Sequence, residues 1–253
     1  MIAIYCTADD NYIVPAIVAL ESIRRFHNHD MFVLSGGLEK KNMNLLEKHN
    51  IRHVLTNKHE YFPNGKWPNI AYLQLAGPEI FCDMGYKYSL GVDADILCIR
   101  PLQIEAIKVL TDGYAGIENE GMLIDNFTRP LDVMEKHGLS EEDMARHNTN
   151  TGFVFWNNKT MKDVHLWDNC TECWEPNMFR AVDQSLFALI SVLLNLPFYR
   201  LPHQYNYRVG NKHDRKKKLS DISIYHYTGT KPWEGRFVRH GGLWRKFAKT
   251  LKL

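Results

Sequence analysis

The first quarter of the chain alternates between short apolar segments and longer segments whose apolar residues recur every three or four positions. Short apolar segments that end in turn-forming residues are typical of buried strands, and the wider spacing is typical of amphipathic helices. The predicted order is strand, helix, strand, helix and strand over residues 2–6, 14–26, 31–34, 42–49 and 53–55. Strands that alternate with helices predict an α/β fold, with a mostly parallel sheet flanked by helices.

The rest of the chain continues this pattern less regularly. A helix is predicted over residues 71–82 with an interruption at Gly77 and Pro78, because proline removes a hydrogen-bond donor from a helix. One long buried strand is predicted over residues 86–99. Further strands are predicted at residues 114–117, 151–156 and 222–227, and a helix at residues 183–196. No repeat or long linker divides the 253 residues, so the sequence predicts a single domain.

Charge and hydropathy argue against two classes of protein. The chain has 31 basic and 29 acidic residues, and a net charge of +2 gives little general attraction to nucleic acid. The longest apolar run, residues 186–196, is too short to span a membrane. Because the first residues also lack the pattern of a secretion signal, the expected location is the cytoplasm.

Two segments near the C-terminus are basic, namely residues 215–218 and the last ten residues. In the second segment, Trp244, Phe247 and Leu251 are spaced for one face of a helix, and lysines and arginines occupy other positions. This pattern fits an amphipathic helix in weak, peripheral contact with an anionic membrane. It also fits a helix that docks its apolar face onto the protein itself.

Asp93, Ala94 and Asp95 form an Asp-x-Asp sequence inside an apolar run. In an extended segment, side chains two residues apart point to the same side, so both carboxylates can face one ion. Two carboxylates held together repel each other, and a divalent cation removes that penalty. Hard oxygen ligands suit Mg²⁺ or Mn²⁺, which also bind diphosphates. A solvated turn is the alternative interpretation.

Two further clusters of polar residues follow predicted strands. His226, Gly229 and Lys231 lie at the end of the last strand, where they could supply a metal ligand, a close backbone approach and a positive charge. Asp9 and Tyr12 belong to a cluster directly after the first strand, and ligands of open α/β sheets bind at such strand ends. The alternatives are a turn with a packed tryptophan for the first cluster and a helix cap for the second.

Five segments occur in an order that resembles glycosyltransferase family 8, the group of glycogenin and the bacterial lipopolysaccharide galactosyl- and glucosyltransferases. They are CTADDNY, GVDADILCIRPL, NTGFVFWN, DQSLF and HYTGTKPW, and the likeness extends from residue 2 to about residue 233. The resemblance implies a single-domain GT-A fold with a Rossmann-like sheet, and transfer with retention of anomeric configuration. It also implies a nucleotide-binding half at about residues 1–100, and an acceptor-side half with a closing loop at about residues 101–253.

The resemblance assigns site residues by position. It implies that Asp93, Asp95 and His226 hold a manganese ion, for which magnesium could substitute. The positions that match nucleotide- and sugar-binding residues of the family are Thr7, Asp9, Asn11, Tyr12, Asp93, Ala94, Asn150, Asp183, Gln184, Gly229 and Lys231. Tyr12 would stack on the uracil, and Asp183, Gln184 and Lys231 are the candidate catalytic residues.

Two positions depart from the family's pattern. One residue fewer separates Gly229 from Lys231 than in the usual H-x-x-G-x-x-K-P-W loop. The family commonly has an arginine or lysine where this chain has Tyr72, so less positive charge is expected near the diphosphate.

The sequence therefore predicts a retaining, manganese-dependent hexosyltransferase. Its predicted donor is a UDP-sugar, with UDP-glucose or UDP-galactose preferred, and its acceptor is a glycan or a lipid- or protein-linked glycoconjugate. The alternatives are a sugar nucleotidyltransferase, which should carry a Gly-rich basic loop after the first strand, and a non-catalytic sugar-nucleotide-binding relative.

Overall fold

The computed structural model describes residues 1–62, 69–211, 214 and 219–253, so the basic segment at residues 215–218 lies outside the described residues. Its strands are β1 (Ile2–Thr7), β2 (Asp30–Ser35), β3 (Arg52–Leu55), β4 (Tyr88–Val92), β5 (Ile96–Cys98), β6 (Tyr114–Met122), β7 (His147–Asn157), β8 (Phe198–Arg200), β9 (Tyr207–Arg208) and β10 (Ile224–His226). Its α-helices are α1 (Ile13–Arg24), α2 (Lys40–Lys48), α3 (Leu73–Asp83), α4 (Ile104–Leu110), α5 (Pro130–His137), α6 (Glu141–Met144), α7 (Asn158–Asp163), α8 (Leu166–Cys173), α9 (Val182–Leu193) and α10 (Gly241–Thr250).

Two sheets organise the described residues. The larger has the strand order β3-β2-β1-β4-β7-β6-β8, and the smaller has the order β5-β10-β9. In the larger sheet only β7 runs against its neighbours, pairing antiparallel with both β4 and β6. The predicted α/β fold with a mostly parallel sheet is therefore confirmed, and the first five elements agree with the prediction to within two residues at each end.

Strand β1 lies in the middle of the fold and is buried on both faces. Ile2, Ile4 and Cys6 belong to the apolar cluster that contains α1, whereas Ala3 and Tyr5 belong to the cluster that contains α3. Full burial of an aliphatic side chain contributes roughly 1.5–3 kcal/mol, so helices on both faces stabilise this strand. Its carboxyl end consequently has a fixed position in the fold.

The prediction of one strand over residues 86–99 is wrong. β4 ends at Val92 and β5 begins at Ile96, and the two strands belong to different sheets. Two backbone hydrogen bonds hold the intervening turn: Asp93 N donates to Gly152 O at 3.2 Å, and Tyr227 N donates to Asp95 O at 2.9 Å. The apolar run continues through the turn because Ala94 is itself buried, so hydropathy alone does not reveal the break.

The predicted interruption of the helix at Gly77 and Pro78 is also wrong, since α3 continues through Pro78. A proline at this position leaves the carbonyl four residues earlier without its helical donor. That carbonyl belongs to Gln74, and the Tyr5 hydroxyl donates to it at 2.6 Å. A contact from β1 thus satisfies the acceptor that the proline exposes.

The C-terminal helix α10 packs on the protein. Trp244 is 4% exposed and lies in an apolar cluster with Tyr207 and Tyr227, and Phe247 and Leu251 pack against the same cluster. Of the two interpretations of this helix, docking onto the protein is confirmed. Any membrane contact would depend on its exposed lysines and arginines. None of the described helices combines the length and the apolar character needed to cross a bilayer.

Candidate active site

A cavity of about 480 Å³ lies at the carboxyl ends of β1 and β4. Its lining contains every predicted site residue except Asn11, and the side chains come from several distant parts of the chain. The lining residues are Thr7, Ala8, Asp9, Tyr12, Ile70, Ala71, Asp93, Ala94, Asp95, Asn150, Thr151, Ala181, Val182, Asp183, Gln184, His226, Thr228, Gly229 and Lys231.

Asp93, Asp95 and His226 meet at the floor of the cavity. The turn after β4 carries both aspartates, and the antiparallel pairing of β5 with β10 places His226 opposite Ile96. His226 Nε2 lies 3.3 Å from Asp93 Oδ2 and 3.0 Å from Asp95 Oδ1. The three potential ligand atoms lie within 4.8 Å of one another, close enough to share one ion.

The charges of this cluster depend on one another. Burial alone would raise the pKa of Asp95, but the charges of His226 and Lys231 and the hydrogen bond from Lys231 outweigh it and lower the pKa to about 2. Burial alone would lower the pKa of His226, but the two aspartates outweigh it and raise the pKa to about 9. In the metal-free protein, His226 and Lys231 therefore neutralise the carboxylates.

The cluster fits a divalent cation. Asp95 Oδ1 is buried and makes no hydrogen bond of acceptable geometry, although His226 Nε2 is near it. An acceptor left in this state costs free energy, which a bound cation would recover. Two carboxylates and an imidazole are a suitable donor set for Mn²⁺ or Mg²⁺.

Gly152 on β7 is a site residue that the sequence reasoning missed. A Cβ atom at this position would lie 2.3 Å from His226 Cε1 and 2.9 Å from Asp93 Oδ2. Any larger residue would therefore displace two of the three potential ligands. The only signal in the sequence was its place in the NTGFVFWN segment.

The N-terminal cluster holds the turn before α1 as well as lining the cavity. Asp9 Oδ1 accepts hydrogen bonds from the backbone N–H groups of Asn11 at 3.0 Å and of Tyr12 at 3.2 Å. The Tyr12 ring is 37% exposed and lies edge-on to Trp233, with ring centroids 6.0 Å apart. Asn11 is exposed and lies outside the lining, so Thr7, Asp9 and Tyr12 are the predicted residues of this cluster that line the cavity.

Tyr72 does not face the cavity. Its ring stacks on Phe62 at 4.3 Å, and its hydroxyl accepts a hydrogen bond from Trp174 Nε1 at 3.2 Å. The neighbouring side chain that points toward the site is Gln74, which donates to the carbonyl of Thr151. Tyr72 is therefore absent from the cavity lining, and the lower positive charge around the diphosphate stays a prediction.

Asp183 and Gln184 lie at the first turn of α9, and both line the cavity. Burial, and then the charge of Asp93, raise the pKa of Asp183 to about 7, against hydrogen bonds from Thr151 and from backbone N–H groups. Gln184 Oε1 accepts a hydrogen bond from Asn150 Nδ2 at 2.8 Å. These two residues therefore present polar groups beside the metal ligands.

We expect Asp183→Asn to stabilise the metal-free protein at high pH. A folded-state pKa of about 7, well above the unfolded value, means that ionisation of Asp183 opposes folding as the pH rises from about 4 to 7. Each pH unit in this window contributes about 1.4 kcal/mol at most, so the variant should gain about 2 to 4 kcal/mol at pH 8 and little at pH 4. Urea unfolding with a chelator at both pH values measures this difference.

Asp163→Asn is the matched control, because Asp163 is an exposed acid on α7 that should show no such pH-dependent gain. A variant at Asp183 that is no more stable than the wild type at pH 8 would contradict the raised pKa.

Comparison with known families decides the class of this protein. The family model of glycosyl transferase family 8 matches residues 3–236. The chain belongs to glycosyltransferase family 8. The match covers all five segments on which the resemblance was based, and it includes the three residues of the cation cluster.

Solved structures of glycosyltransferases share the fold. The apo structure of the bifunctional glycosyltransferase WbbM superposes with a TM-score of 0.73 at 16% identity, over 98% of this chain and 49% of that one. The galactosyltransferase LgtC, in complex with donor and acceptor sugar analogues, superposes with a TM-score of 0.67 at 18% identity. The match covers 99% of this chain and 96% of LgtC. Mouse xyloside xylosyltransferase 1 superposes with a TM-score of 0.59 at 13% identity, and the match covers 89% of this chain and 97% of the mouse protein. This family 8 chain spans about half the length of WbbM. No curated protein matches its sequence significantly.

The chain is thus a glycosyltransferase family 8 enzyme with a GT-A-like fold. The family transfers sugars with retention and binds a divalent metal through an Asp-x-Asp motif. In this chain the motif is Asp93-Ala94-Asp95, and His226 completes the candidate metal group.

Proposed function

We propose that this enzyme transfers a hexosyl group, glucose or galactose, from UDP-hexose to the hydroxyl group of a glycan or of a lipid- or protein-linked glycoconjugate. The observation that carries the proposal is the Asp93, Asp95 and His226 cluster in a cavity that the candidate nucleotide- and sugar-binding residues also line. A cavity of about 480 Å³ is within the range of small-molecule sites.

The nucleotide side would be formed by Thr7, Asp9 and Tyr12. Asp9 uses Oδ1 to hold the turn before α1, so its second carboxylate oxygen is available to accept the N–H group of a uracil. The exposed Tyr12 ring, supported at its edge by Trp233, offers a surface for the base. These contacts suit a pyrimidine better than a purine.

The diphosphate would lie between the metal group and the loop that carries Gly229 and Lys231. When bound, Mn²⁺, or Mg²⁺ in its place, would offset the negative charge that develops on the leaving UDP. Lys231 would add a second positive charge at the same end of the cavity. Ala94, between the two aspartates, would contact the donor.

The transferred sugar would contact Asn150, Asp183 and Gln184. A covalent intermediate requires a nucleophile. Among the described residues that line the cavity, Asp183 is the only carboxylate besides Asp9 and the two aspartates of the metal group, and burial and Asp93 disfavour its charged form. We therefore favour attack by the acceptor on the face from which UDP departs. Turnover of UDP-glucose and UDP-galactose, followed as UDP release with Mn²⁺, Mg²⁺ or a chelator, tests this function. No UDP release from any UDP-sugar with either metal would reject it.

We expect UDP to bind at least about tenfold more tightly than GDP or ADP when Mn²⁺ is present. The three ligands share the diphosphate, so a difference in affinity reports on the base, and one or two lost hydrogen bonds cost about 1–3 kcal/mol. Calorimetry with each diphosphate measures this preference, and Tyr12→Ala should reduce it. Equal affinities would show that the N-terminal cluster only holds the turn before α1.

A further inference from the structure

Four side chains form a hydrogen-bonded chain from the metal group to the sugar side of the cavity. His226 Nδ1 lies 2.7 Å from Asn206 Oδ1, and Asn206 Nδ2 donates to Asn150 Oδ1 at 2.5 Å. Asn150 Nδ2 then donates to Gln184 Oε1 at 2.8 Å. Asn206 is 1% exposed and does not line the cavity, so it contacts the site only through these neighbours.

A backbone group fixes the direction of this chain. The N–H of Gly152 donates to Asn150 Oδ1 at 3.1 Å, and a backbone N–H cannot accept. The Asn150 atom at this point must therefore be the oxygen, and the Asn206 atom that faces it must be the amide nitrogen. Asn206 consequently presents its oxygen to His226, so His226 must carry a proton on Nδ1.

The same argument runs toward Gln184. With its oxygen facing Gly152, Asn150 turns its amide nitrogen to Gln184, and the Gln184 atom that meets it must be the oxygen. In the described part of the chain, no hydrogen bond uses Gln184 Nε2, and the residue lines the cavity. Gln184 is therefore left with two N–H donors for a ligand.

We propose that Asn206 is a positioning residue that sets both ends of the site through this chain. At one end it holds the Nδ1–H of His226, so that Nε2 faces Asp93 and Asp95. At the other end it acts together with the Gly152 N–H to hold Asn150, which orients Gln184 as a hydrogen-bond donor to the transferred sugar. This inference rests on the proposed function, because it assigns Gln184 a role toward the donor sugar. It also means that Gln184 offers its amide nitrogen to the sugar, because its oxygen is turned toward Asn150.

Two substitutions at Asn206 distinguish its effect on His226 from its effect on Gln184. Asn206→Leu has a similar volume and removes both hydrogen bonds, so His226 loses the partner that orients it. Asn206→Asp keeps an acceptor for His226 but places an oxygen opposite Asn150 Oδ1. The Gly152 N–H still needs the Asn150 oxygen, so no orientation of the Asn150 amide satisfies both neighbours, and its hydrogen bond to Gln184 is weakened.

The first measurement is Mn²⁺ binding to the nucleotide-free protein, followed by electron paramagnetic resonance. We expect Asn206→Leu to weaken binding about 10- to 100-fold, as is usual for partners of metal-binding histidines, and Asn206→Asp to stay within about threefold of the wild type. Asn158→Leu is the matched control, because Asn158 is also fully buried and bonded at both ends, to Ser89 at 2.6 Å and to Tyr86 O at 2.8 Å. The control should lose stability but keep its Mn²⁺ affinity.

The second measurement is kcat for UDP release, with and without Gln184→Ala. We expect Asn206→Asp to lower kcat about tenfold in the wild-type background, and less than about twofold when Gln184 is already alanine. A loss that acts through Gln184 disappears once Gln184 is removed, whereas a general structural loss does not.

The outcomes distinguish this inference from the proposed function. Absence of both Mn²⁺ binding and UDP release in the wild type would reject the proposed function and the inference together. A wild type that binds Mn²⁺, beside an Asn206→Leu variant within about threefold of it, would overturn the inference at the metal end. If Asn206→Leu does not fold, Asn206→Asp still decides, because an equal loss of kcat in both backgrounds overturns the effect on Gln184.

Discussion

Asp95→Asn is expected to lower turnover at least about 100-fold and to abolish most Mn²⁺ binding. The carboxylate of Asp95 is more buried than that of Asp93. Its Oδ1 atom makes no hydrogen bond within the protein, so a bound cation would be its partner. Asparagine has nearly the same shape but lacks the charge that a divalent cation requires. Activity should therefore fall while the fold is retained.

The same substitution should cost stability in the absence of metal. The pKa of Asp95 is lowered to about 2 by His226 and Lys231 against the effect of burial, so its ionised form stabilises the fold above pH 4. We expect Asp95→Asn to lose about 1 to 2 kcal/mol at pH 7, and the difference from the wild type should vanish as the pH falls toward 2.

Turnover at saturating Mn²⁺ and urea unfolding with a chelator, measured on one preparation, test both effects. The control is Asp163→Asn, which removes an exposed acid far from the cluster. Near-normal turnover of Asp95→Asn at saturating Mn²⁺ would remove this residue from the metal group.

The elements at the start of the chain were predictable because each depends on its own residues. A strand such as β1 is a short apolar run, and α1 shows helical spacing, so periodicity identifies both. The break between β4 and β5 was not predictable in this way. It depends on hydrogen bonds to Gly152 and Tyr227, which are distant in sequence and invisible to a local pattern.

The same distinction applies to the site. Asp93, Asp95 and His226 could be found because aspartate and histidine are common metal ligands and because their segments resemble a known family. Gly152 and Asn206 have no side chain of this kind. Gly152 matters because it lacks a Cβ atom, and Asn206 matters because it links His226 to Asn150 by hydrogen bonds. Residues that act through the space they leave free, or through a neighbouring side chain, can be identified only from the tertiary structure.

Lys231→Met is expected to have the second large effect, with turnover reduced by about 100-fold. In the metal-free protein, Lys231 Nζ bonds to Asp95 and also donates to Tyr227 O at 3.2 Å. Burial alone would lower the pKa of Lys231, but Asp95 outweighs it and raises the pKa, so the ammonium is charged at neutral pH. Gly229, with φ of 87°, makes the turn that brings this lysine into the cavity, although the loop is one residue shorter than the family's pattern.

The ion pair between Lys231 and Asp95 gives this variant a distinctive signature. Lys231 competes with a cation for Asp95, so its removal should leave Mn²⁺ affinity unchanged or higher while turnover and UDP affinity fall. Loss of a charged hydrogen bond to phosphate costs about 1.5–3 kcal/mol, equivalent to about tenfold or more in UDP affinity. Asp95→Asn, by contrast, lowers metal affinity and turnover together.

Mn²⁺ titration without nucleotide, UDP calorimetry with Mn²⁺ and kcat measurements therefore separate the two roles. Lys162→Met is the control, because Lys162 forms an exposed ion pair with Asp83 outside the cavity lining. If Lys231→Met lost Mn²⁺ affinity in parallel with turnover, Lys231 would be a support for the metal group. If instead metal binding is kept and UDP affinity falls, the lysine leaves Asp95 when metal and donor bind, and its charge acts on the diphosphate.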